Sequence, residues 1–141
     1  MSNEEVIDMD KFFEKIASRL QPVLPVGWNK VCLYAEIAEK SYEIFFYCFI
    51  NGTDGAVQCY DLTEEYQIEE EEIDEAFEDI YAILELIWQE LKKLEEKTWT
   101  NYTLIFESTG RFKEYFDYTD LENGSYEYKK KWKEKYLTSD I

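Results

Sequence analysis

Residues 30–60, KVCLYAEIAEKSYEIFFYCFINGTDGAVQCY, decide the fold. From Lys30 to Ala38 the side chains alternate. Val31, Leu33, Ala35 and Ile37 fall on one face and Lys30, Cys32, Tyr34 and Glu36 on the other, which is the period of a β-strand. From Tyr42 to Ile50 nearly every position is apolar, the pattern of a strand covered on both faces or placed centrally in a sheet. Asn51-Gly52-Thr53-Asp54-Gly55 has the turn chemistry of a hairpin loop, and Ala56 to Tyr60 follows as a shorter strand. Three strands so joined predict an antiparallel meander.

The segment before the meander reads as helical. Phe12, Phe13, Ile16, Ala17 and Leu20 recur at helical spacing, and Asp8 or Asp10 is placed to cap them. Pro22 ends or kinks that helix, and Pro25-Val26-Gly27 turns the chain. After the meander comes the strongest helical stripe: Ile73, Phe77, Ile80, Tyr81, Leu84, Ile87, Trp88, Leu91 and Leu94 at steps of three and four. Glu69 to Glu72 and Asp74 stand at the start of that helix, where its dipole favours negative charge, and Lys92, Lys93 and Lys97 suit its other end. Thr100 to Phe106 and Phe112 to Tyr118 alternate again, joined by a second hairpin at Glu107-Ser108-Thr109-Gly110. Tyr126 to Tyr136 reads as a lysine-rich helix with Tyr128, Trp132 and Tyr136 on one side. The order α-β-β-β-α-β-β-α predicts one α+β domain over residues 1–141, an antiparallel sheet of about five strands with helices packed on it.

Charge narrows the function. Asp and Glu outnumber Lys and Arg 32 to 15, the net charge is −17, and there is no histidine. From Asp61 to Asp79 eleven residues are acidic and none is basic. Such a field repels nucleic acid and anionic membrane and speeds encounter with a basic partner. With 45% hydrophobic and 18% aromatic residues the chain is expected to fold, since acidic disordered tails are poor in aromatics. No signal peptide or membrane span is recognisable. Cys32, Cys48 and Cys59 lack metal-ligand spacing and read as buried, reduced thiols of a cytoplasmic protein.

Chemistry finds few footholds. A nucleophilic triad fails for want of histidine, and neither a GxSxG setting nor a glycine-rich phosphate loop is present. A zinc site would have to gather scattered cysteines and carboxylates. The knot Asp117-Tyr118-Thr119-Asp120-Leu121-Glu122-Asn123-Gly124 lacks the ligand order of a calcium loop and reads as strand end, turn and helix cap. Asp117 with Glu127-x-Lys129 loosely mimics the carboxylates of metal-dependent nucleases, a short pattern in a charged chain whose net charge opposes a polyanionic substrate. Nothing selects a carboxylate pair for glycoside hydrolysis. No cofactor or metal is expected. The four tryptophans, Trp28, Trp88, Trp99 and Trp132, lie on or beside apolar stripes and read as core.

Several motifs carry a resemblance. Trp28-Asn29-Lys30-Val31, Trp99-Thr100, Gly110-x-Phe112-Lys113, Phe116-Asp117-Tyr118-Thr119-Asp120 and Trp132-x-x-x-Tyr136-Leu137 resemble the YezG-like immunity proteins of Bacillus and Staphylococcus over about Asp10 to Leu137. The resemblance implies a cytoplasmic, non-enzymatic antitoxin for the nuclease domain of an LXG-type toxin exported by a type VII secretion system. The expected partner surface comprises Asp61, Glu64, Glu65, Glu69, Glu70, Glu71 and Glu72 with Asp117, Asp120 and Glu122, and Tyr66 and Tyr118 as aromatic anchors. Two alternatives remain at this point: an acidic DNA mimic that binds DNA-binding proteins, and a small metal-dependent hydrolase.

Overall fold

The computed structural model describes residues 9–38, 41–93, 98–122 and 125–137. Helix α1 (Met9–Leu20) leads through a 3-10 turn at Gln21–Val23 into strands β1 (Trp28–Ile37), β2 (Tyr42–Ile50) and β3 (Ala56–Gln58). A second 3-10 turn (Cys59–Asp61) and the one-turn helix α2 (Leu62–Glu65) precede the long helix α3 (Glu70–Lys93). Strands β4 (Asn101–Glu107) and β5 (Phe112–Asp117) follow, and α4 (Ser125–Tyr136) completes the α+β domain.

The five strands form one antiparallel sheet in the order β3-β2-β1-β4-β5. The meander is therefore real, but its most apolar strand is not the central one. β1 holds the centre, paired on one side with β2 and on the other with β4. Its residues Val31 to Ala35 are all buried, whereas β2 alternates, with Ile44, Phe46, Cys48 and Ile50 fully covered and Phe45, Tyr47 and Phe49 partly so. The physical reason is a third layer. α1 and α3 cover one face of the sheet, and α4 crosses the other, seating Trp132 against Cys32 and Tyr34. Positions of β1 that alternation alone assigns to solvent thus lie beneath a helix.

Local chemistry explains most boundaries. Pro22 stands within the 3-10 turn that ends α1, and Asp10 falls within the helix, while Asp8 lies outside the described residues. β3 stops at Gln58 because the Gln58 side chain accepts the Tyr60 N–H and starts a 3-10 turn. Glu69 and Glu72 close the start of α3: the Glu72 carboxylate accepts the Glu69 N–H at 3.1 Å, a capping contact. The second hairpin turns at Gly110, whose φ of +100° is one that a side chain would resist. Ile73, Phe77, Ile80, Leu84, Ile87 and Trp88 of α3 are buried against α1 and the sheet. The stripe's last member, Leu94, and the end charge Lys97 fall outside the described residues.

Three tryptophans, Trp88, Trp99 and Trp132, are buried, and Trp28 packs partly covered at the core's edge. Cys32, Cys48 and Cys59 are free and buried, as the sequence led one to expect. Burial pushes all three thiols up, to about 11 for Cys32 and Cys59 and about 12 for Cys48, so they are protonated and unreactive at neutral pH. Among the described residues no helix is long and apolar enough to cross a membrane.

Candidate partner-binding surfaces

All eleven carboxylates between Asp61 and Asp79 are exposed. Their placement follows from the helix periodicity: Ile68, Ile73, Ala76 and Phe77 turn inward, and the residues between them are left on the outer side of the corner formed by α2 and the start of α3. Glu70, Glu71 and Glu72 occupy the first turn of α3, where the helix dipole stabilises them. Two carboxylates of the run have internal work. Glu72 caps the helix, and Asp74 accepts the Tyr60 hydroxyl at 2.6 Å, tying the 3-10 turn to α3. Asp61, Glu64, Glu65, Glu69, Glu70 and Glu71 face water. Tyr66, by contrast, is half-buried and leans on the core.

Asp117, Tyr118, Asp120 and Glu122 lie elsewhere. In sheet register the end of β3 is level with Lys113, four residues before Asp117, and four strand spacings away. That places Asp117 about 19 Å across and about 13 Å along the sheet from Gln58. The twelve expected contact residues therefore form two surfaces, at opposite edges of the sheet.

At the second surface Asp117 is tied inward. It accepts the N–H groups of Tyr118 (2.7 Å) and Thr119 (3.2 Å), the Thr119 hydroxyl (3.1 Å) and the Tyr128 hydroxyl. Burial alone would raise its pKa, but the hydrogen bonds from Tyr128, Thr119 and the backbone together outweigh it and hold the carboxyl below its ordinary range. Tyr128 also reaches Asn101 at 3.1 Å, and the Trp132 indole N–H reaches the buried Thr103 hydroxyl at 2.9 Å. Asp117 thus fastens α4 to the sheet. Asp120 accepts the Glu122 N–H at 3.0 Å and is exposed, as are Glu122 and Tyr118.

Near this end of the sheet a cavity of about 500 Å³ is walled in part by Tyr42, Trp88 and Trp99, with Glu43, Asp120 and Glu122 also lining it. Glu43 is committed to Lys129 at 2.6 Å, and Glu36 to the hydroxyls of Tyr34 and Ser125, both at 2.6 Å. Among the described residues no three Cys, Asp or Glu side chains converge as a metal site would require.

One feature was not legible as a unit in the sequence. Lys30, Arg111 with Lys113, and Lys135 come from three separate places in the chain and line one cleft. Only the register that sets Lys113 opposite Ile105, and Ile105 opposite Cys32, brings them together.

The chain presents an α+β fold with a densely acidic, exposed corner. The chain is a member of the YezG-like immunity protein family, whose model matches residues 9–139. Among its relatives, Immunity protein YezG of Bacillus spizizenii (strain ATCC 23059 / NRRL B-14472 / W23) is 31% identical over 80% of this chain and 70% of its own length. The type VII secretion system protein EsaG of Staphylococcus aureus (strain NCTC 8325 / PS 47) is 28% identical over 84% of this chain and 72% of its own. Immunity protein YezG of Bacillus subtilis (strain 168) is 24% identical, over 80% and 75%.

Proposed function

We propose that this protein is a cytoplasmic, non-enzymatic immunity protein that binds and neutralises the nuclease domain of a toxin exported by a type VII secretion system. The observation that carries the reading is the uninterrupted exposed acidic corner from Asp61 to Asp79 in a member of an immunity family. A nuclease needs a basic groove for the phosphate backbone of its substrate, and an acidic inhibitor is complementary to that groove. Asp61, Glu64, Glu65 and Glu69 to Glu72 serve capture, and Tyr118, exposed beside Asp120 and Glu122 at the other edge, serves as an anchor.

The test is DNA cleavage by the purified C-terminal domain of the toxin encoded beside this gene. One molar equivalent of the immunity protein should abolish cleavage, and the protein alone should cleave nothing in the presence of divalent metal. Undiminished cleavage would refute the reading. A pull-down from the host that returned several unrelated DNA-binding proteins instead of one toxin would favour a DNA mimic, which the same exposed charge also suits.

A further inference from the structure

The acidic side chains crowd the α3 side of the sheet, and the basic ones gather on the other. α4 does not reach the end of the face it covers. Past its last turn a cleft of about 410 Å³ opens beside the β4–β5 hairpin, with Cys32 and Ile105 at its floor. Four cations surround it: Lys30 from β1, Arg111 and Lys113 from the hairpin, and Lys135 from α4. Arg111, Lys113 and Lys135 are exposed. Lys30 rests over the Phe49 ring at 4.6 Å and Lys135 over Tyr136 at 5.2 Å, so aromatic faces position two of the four. The Lys93–Glu90 and Lys129–Glu43 ion pairs involve none of them, and among the described residues Glu107 is the one carboxylate lining the cleft. Among the described residues, four cations thus share one cleft with a single carboxylate, Glu107, which stands opposite Lys30 in the β1–β4 register.

We propose that this cleft receives side-chain carboxylates of the toxin, an inference that rests on the reading given under Proposed function. A long polyanion does not fit the electrostatics. Nucleic acid, or the acidic corner of a second copy, would meet the field of a molecule carrying −17 before reaching the cleft. The occupant is therefore a local anionic group on a partner that is positive overall. A metal-dependent nuclease carries such a group, because the divalent ion that assists phosphodiester cleavage is held by carboxylates within the basic groove. The acidic corner and the basic cleft would then meet opposite charges on one partner, and the cleft would set orientation where the corner sets speed.

The two roles separate in kinetics. Binding of the toxin domain in metal-free buffer is measured for the wild type, for the double variant Arg111→Glu/Lys113→Glu, and for Lys135→Glu, after thermal melts confirm the fold. Each reversal makes the protein more negative by two charges, so steering alone would speed association and tighten the complex. The cleft requires the opposite outcome: dissociation at least about tenfold faster, with association unchanged or faster. If the double variant melts early, Lys135→Glu carries the test with the same expectation. A wild type that fails to bind removes the proposed function and the cleft's role with it. A wild type that binds, beside reversed variants that hold the toxin as tightly or more tightly, overturns the cleft and leaves the proposed function standing.

Discussion

Asp117 collects four hydrogen bonds in a turn where the chain leaves the sheet for α4, and its depressed pKa makes that arrangement measurable. An unfolded aspartate titrates near 3.9, and the folded carboxyl titrates lower. Its contribution is therefore complete above about pH 4 and is lost as pH falls through the folded value. Asp117→Asn should cost about 1–3 kcal/mol at pH 7, as hydrogen bonds to a charged group do. Urea unfolding of wild type and variant from pH 7 down to pH 2.5 should show that gap closing at the acid end. A gap that stays constant would mean that the charge is idle. At this scale the sequence signalled a turn and cap at Asp117, and the turn is there. What spacing could not show is that Tyr128, eleven residues on, donates to the same carboxylate. Nor could it show the half-burial of Tyr66, since the short helix α2 that positions it has no apolar periodicity of its own.

At the level of elements, α3 joins α1 to the sheet, and Leu84, fully buried midway along it, is the side chain on which the packing bears most simply. Leu84→Ala should destabilise the domain by about 2–5 kcal/mol, with the larger values if the cavity does not collapse. A denaturant midpoint that does not move would show that the stripe is not core. That stripe was legible because nine apolar residues keep one helical phase. The strands were legible to within two or three residues for the same kind of reason. The centre of the sheet was not. Burial of β1 on both faces depends on α4, and α4 advertises itself by lysines and only four aromatics, three of them on one side; besides the packing of Trp132, its hold on the sheet includes polar pairs, Trp132 to Thr103 and Tyr128 to Asn101. Alternation within a strand reports which face is apolar, and it is silent about which helix later covers the other.

For the whole molecule the distribution of charge matters more than its sum. Carboxylates cluster at the α2–α3 corner, and eight of the fifteen cations, Lys30, Arg111, Lys113, Lys129, Lys130, Lys131, Lys133 and Lys135, belong to α4, the hairpin or the strand between them. The acidic run was visible in the sequence because it is contiguous; the basic cleft was not, because its members are brought together by register. On the proposed function, the acidic corner captures a basic toxin domain. Stopped-flow association with the cognate domain tests it directly, for wild type and for a variant with Glu64, Glu65, Glu69 and Glu70 all changed to Gln. The wild type should associate fast at low salt, up to about 10⁸–10⁹ M⁻¹s⁻¹, and slow steeply as the screening length shortens to about 8 Å. The quadruple variant should associate more slowly and with a flatter salt dependence, while its dissociation changes little. An association rate indifferent to both salt and the four substitutions would contradict the claim and reduce the acidic corner to a solvated helix entrance.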